Sequence, residues 1–120
     1  MKYHELIRRI KANASVEEDE SQDALELVVE NVAAHLSDQT RAGFAAALPD
    51  ELQGAAQMVP TAQHLDEDII EQLMDLEDVD ELSARKRIRA AWQALCDVFD
   101  SNEVDEITAE LPRRMVASLE

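Results

Sequence analysis

Ala46-Ala47-Leu48-Pro49 and Ala109-Glu110-Leu111-Pro112 are two versions of one phrase, and their prolines stand 63 residues apart. Sliding the chain by 63 residues also places Leu6, Ile7 and Ile10 on Ile69, Ile70 and Leu73. The same shift lays Leu25, Val29, Val32 and Leu36 over Ile88, Trp92, Leu95 and Phe99, Phe44 over Ile107, and Leu52 over Met115, with no gap. Few residues are identical, yet apolar meets apolar wherever a core would be faced, which marks one supersecondary unit used twice. Proline disfavours helical geometry in the residue before it and donates no backbone hydrogen bond. A helix must therefore stop at each Leu-Pro, and the next can start just beyond it.

The fold class that follows is all-α: two tandem four-helix repeats packed as one compact helical domain. Repeat one spans residues 1–57, a linker without periodicity spans 58–65, and repeat two spans 66–120. In repeat one the apolar spacing predicts a helix over 3–13, with Glu5 reaching Arg9, and a long second helix ending near Leu36. Ser15 and Glu18 have capping-box spacing at the start of that long helix. Asp38 is a cap for the third, where Gly43 and Ala45-Ala46-Ala47 permit close approach, and Asp50 and Glu51 open the fourth. In repeat two Asp66 is the first cap, and a long helix follows Asp78-Val79-Asp80-Glu81 as far as Phe99. Asp100 or Ser101 opens the third helix, and residues 113–119 form the last. Two glycines and three prolines in 120 residues leave little room for hairpins, and strand patterns are absent.

Composition narrows the function classes. With 27 acids against 11 bases the net charge is −16, which repels phosphate backbones and anionic lipid and disfavours nucleic-acid or membrane binding by the body of the molecule. An acid-rich, lysine-poor surface also suits a salt-adapted source, where screening relieves self-repulsion. One cysteine, Cys96, allows no intrachain disulfide and points to a reducing cytoplasm. No apolar run has the length of a signal peptide core or a membrane span.

This order of features resembles a bacterial and archaeal family known as domain of unknown function 2267. The stretches that carry the resemblance are Ser21 to Leu52 and Ala84 to Met115, with Asp66-Glu67-Asp68-Ile69-Ile70 opening the second repeat. The family commonly has Gln before Leu-Pro, where this chain has Ala47 and Glu110. The resemblance implies a fold and brings no catalytic residues.

No nucleophile, base and acid can be assembled from the sequence. Cys96 sits on an apolar face with Trp92 and Phe99 and reads as a buried thiol. His4, His35 and His64 lack ligand spacing, and the acidic groups around Asp66, Asp75 and Asp97 lack the glycine that an EF-hand loop needs, so no metal and no cofactor is expected. Gly43 and Gly54 form no phosphate loop. The feature that breaks a local rule is cationic. Where repeat one has Asp23, Asp50 and Glu51, repeat two has Lys86, Arg113 and Arg114, with Arg85, Arg87 and Arg89 nearby. Cations near helix starts oppose the dipole, so these six residues are the candidate anion site, provided the second and fourth helix starts share an end. The competing account pairs them with carboxylates, as Glu81–Arg85, Glu110–Arg113 and Glu110–Arg114. The expectation is a cytoplasmic, non-enzymatic module that binds a protein partner or forms a homo-oligomer. The alternative is a nucleic-acid-associated or anion-binding regulator that uses the basic residues of repeat two.

Overall fold

The computed structural model describes residues 2–57 and 68–120; the linker assigned to 58–65, His64 and the cap assigned to Asp66 lie outside the described residues. The described residues form eight helices and no strand. They are α1 Tyr3–Ala14, α2 Glu18–His35, α3 Asp38–Ala47 and α4 Asp50–Gln57, followed by α5 Ile69–Glu77, α6 Glu81–Cys96, α7 Ser101–Ala109 and α8 Arg113–Leu119. The starts of α2, α3 and α4 return 63 residues later as the starts of α6, α7 and α8.

Chain reversals recur at the same spacing. α1 and α5 each end on a left-handed residue, Ser15 at φ 57° and Asp78 at φ 53°. The amides of Val16 and Val79 then bond back to the carbonyls of Lys11 and Met74 at 3.4 and 3.3 Å. Leu48 takes the extended conformation that a following proline demands, and its amide bonds to Ala45 at 3.1 Å; Leu111 bonds to Thr108 at the same distance. Pro112 stands at the N-cap, where its carbonyl accepts from Val116 at 3.1 Å.

Several caps fall one or two residues from their expected places. Ser15 closes α1 instead of opening α2, and it is the Glu17 amide that donates to Glu20 Oε1, at 2.9 Å. Ser37 rather than Asp38 caps α3, its hydroxyl accepting from the Thr40 amide. Asp68 caps α5 through the Ile70 amide, while Asp80 and Asp100 cap α6 and α7 at 2.8 Å each. α6 stops at Cys96, short of Phe99, because residues 97–99 turn the chain toward the Asp100 cap. The expected close approach at Gly43 is also corrected: Gly43, Ala46 and Ala47 are exposed, and a Cβ at Gly43 would meet nothing within 4 Å.

Buried apolar residues from every helix form one cluster, centred on Leu25, Val28, Val29 and Val32 of α2 and Ile88, Ala91 and Leu95 of α6. α2 and α6 pack on each other, and the opening helices sit reciprocally: α1 lies on α6 as well as on α2, and α5 lies on α2 as well as on α6. The α2–α4 contact has its counterpart in α6–α8, and that of α1 with α4 in α5 with α8. Phe44 of α3 stacks on Phe99, with centroids 5.4 Å apart and planes 11° from parallel.

Candidate functional site

The cation-rich stretch of α6 divides by helical geometry. At 100° per residue Arg87 falls on the same side as Ala84, Ala91 and Ala94, whereas Arg85, Lys86 and Arg89 fall on the opposite side with Leu82 and Gln93. Arg87 is accordingly only 9 % exposed, and its Nη2 lies 2.8 Å from Glu20 Oε2 on α2. The position 63 residues earlier is Ala24, itself fully buried. A guanidinium there survives because carboxylates surround it, with Glu20 in direct contact and Glu77 of α5 close enough to feel its charge.

Glu77 in turn faces Asp23. Its hydrogen bond to Asp23, then burial, then the Asp23 charge push the Glu77 carboxyl up to about 7, with Arg87 pulling the other way and Glu20 adding to the rise. The Glu77 carboxyl is thus still partly protonated near neutrality. Arg87 Nε and Nη1 and Glu77 Oε1 are buried without direct protein partners, so Arg87 acts on Glu77 through its field. Protonated Glu77 favours the fold fully below pH about 4.5, and that contribution is lost as pH rises through about 7. His35, its pKa lowered by burial, works in the opposite sense, since acid charges it at the cost of the fold. Glu77→Gln keeps a neutral hydrogen-bonding group opposite Asp23. Its thermal midpoint is expected to exceed that of the parent at pH 8 and to match it at pH 5. Parallel melting curves for the two proteins across pH 6–8 would rule this out.

Two of the six candidate residues stand at a helix start. Lys86 is the sixth residue of α6 and its three neighbours lie close by, away from the first turn, whereas Arg113 and Arg114 do open α8. Arg85, Lys86 and Arg89 line a groove of ≈ 400 Å³ with Leu82, Gln93 and, from α1, Asn13. Arg114 lines a separate small cavity of ≈ 30 Å³ with Asn31, His35 and Asp68. Arg85 pairs with Glu81 at 3.4 Å as expected. Glu110 does not turn toward Arg113 or Arg114. It accepts from the Ser37 amide at 2.6 Å and from the Thr40 hydroxyl, which lowers its pKa and ties α3 to the end of α7. Arg9 binds Asp97 of the α6–α7 turn in place of Glu5.

Other side chains singled out from sequence are placed as follows. Cys96 is half-buried, and burial, followed by the Asp97 and Glu120 charges, pushes its thiol up to about 11, far from a thiolate at neutral pH. Trp92 is buried against the core. No three His, Cys, Asp or Glu side chains converge as metal ligands among the described residues. No described helix is long and apolar enough to cross a membrane.

Two features escaped the sequence reading. Asn31 and Gln72 exchange amide hydrogen bonds at 3.1 and 2.9 Å, joining α2 to α5 inside the core. Arg41 reaches back to the carbonyls of Ala33 and Leu36 at 2.8 Å each and closes the C-terminus of α2.

Residues 3–117 match the model of the family described as "Uncharacterized conserved protein (DUF2267)". Comparison with curated proteins and with solved structures returned no match. A match over nearly the whole chain settles the kinship: the protein belongs to the uncharacterised conserved family DUF2267.

Proposed function

We propose that this chain is a non-enzymatic helical module of the cytoplasm, built from two tandem four-helix units, that works by binding a protein partner or a second copy of itself. The observation that carries the reading is Leu82, which is 77 % exposed on the first turn of α6 beside Arg85, Lys86 and Arg89. In a contact there Leu82 would supply the apolar anchor and the neighbouring charges the orientation. Affinity capture on the immobilised full chain, run beside Leu82→Glu, tests it. Proteins retained by the parent and lost in the variant support the reading. Nothing retained, together with a monomeric mass at high concentration, counts against it.

A second reading draws on the same groove, since three cations around ≈ 400 Å³ also suit a phosphate group and hence an anion-binding or nucleic-acid-associated regulator. Of the six cations first considered, Arg85, Lys86 and Arg89 are the ones that line this groove. Phosphate-induced NMR shifts confined to those three residues at low salt favour it, and shifts spread evenly over the surface dismiss it.

A further inference from the structure

Two large apolar side chains are exposed among the described residues, Leu82 at 77 % on α6 and Leu76 at 60 % on α5. On α6, Leu82, Arg85, Lys86 and Arg89 recur at intervals of three and four residues and so share one face. The positions 63 residues earlier are Asp19, Gln22, Asp23 and Glu26, which form the corresponding stripe on α2 with its charge inverted. Asp19 and Glu26 are exposed, as are Lys86 and Arg89. Leu76 lies on α5, the helix that packs against both α2 and α6. Position 76 also corresponds to Asn13, which borders the basic groove on α6.

We propose that the protein self-associates head to tail, the basic α6 face of one copy seating on the acidic α2 face of the next. This gives the interaction reading above a specific occupant, a second copy of the chain. The two faces share one helical spacing, so with the helices aligned Lys86 and Arg89 come opposite Asp23 and Glu26. A nucleic acid would meet the repulsion of a chain of net charge −16. Two such chains also repel each other at long range, but at about 0.15 M salt charges more than ~8 Å apart are screened while contact pairs persist. Association is therefore strongest at intermediate ionic strength. It weakens at ~0.01 M, where the net charges repel, and at ~1 M, where the contact pairs are screened. With the basic face on one neighbour and the acidic face on another, the contact is heterologous and generates rings or open chains.

The test is light-scattering mass of the full chain against concentration and salt, for the parent, for Lys86→Glu/Arg89→Glu, and for Asp19→Lys/Glu26→Lys. The parent is expected to exceed the monomer mass at intermediate salt, and each variant alone to associate at least ~10-fold more weakly. An equimolar mixture of the two variants, which also reports that both are folded, is expected to recover association as assemblies in which the variants alternate in equal numbers. Parent association that neither variant disturbs overturns this interface and leaves the wider interaction reading intact. A parent that stays monomeric at every salt overturns self-association altogether, and the capture experiment then decides the wider reading alone. Variants that fail to complement each other also overturn the proposal.

Discussion

Phe44→Ala is expected to lower the unfolding free energy by about 3–5 kcal/mol, the usual range for truncating a buried aromatic. Phe44 is 2 % exposed, and its ring lies flat on Phe99 in the turn that follows α6. That stack is a junction between the first half of the chain and the second, reinforced where Glu110 bonds Ser37 and Thr40. About 0.5–1.5 kcal/mol of the loss belongs to the ring pair itself. A double-mutant cycle with Phe99→Ala isolates that part, because the coupling disappears once either ring is gone. Urea unfolding followed by Trp92 fluorescence is the measurement, with the midpoint falling and the slope unchanged. A loss below ~1 kcal/mol would mean that α3 contributes little to the cooperative core.

Arg87→Met is the second large effect, and its sign depends on company. Alone, it removes the cation that neutralises Glu20 and restrains Glu77, and it leaves carboxylates facing a half-dry interior. Breaking a buried pair from one side typically costs about 3–5 kcal/mol. Arg87→Met with Glu20→Leu removes both charges while filling the space, and should recover most of that loss. The pKa of Glu77 offers an independent reading. With Arg87 gone, the group that pulls it down is absent, so carboxyl NMR should follow its midpoint to higher pH in Arg87→Met. A midpoint that stays in place would show that Arg87 and Glu77 do not interact.

Much of this architecture was legible because proline and helical periodicity are local signals. Leu48-Pro49 and Leu111-Pro112 reveal where α3 and α7 end, and the 63-residue shift carries helix starts from one half to the other. Caps were less legible, since Ser15, Glu17, Ser37 and Asp38 all have side chains able to cap and geometry chooses among them. In the candidate site, Arg85-Lys86-Arg87-Ile88-Arg89 looks like one solvated run, and burial of its third residue contradicts what charge alone suggests. The signal that could have found it was Ala24 at the matching position, a small residue on the inward side of α2. Asn31 with Gln72, and Thr40 with Glu110, join residues 41 and 70 apart in sequence, and no local pattern announces such pairs.

Because α1 rests on α6 and α5 on α2, each half of the chain supplies part of the wall around the other's longest helix. A severed half would keep its own four helices but bare a hydrophobic flank of α2 or α6 to water. The two stretches are thus bound to a common evolutionary fate: an apolar side chain altered in either opening helix must be answered, if at all, by its neighbour's half.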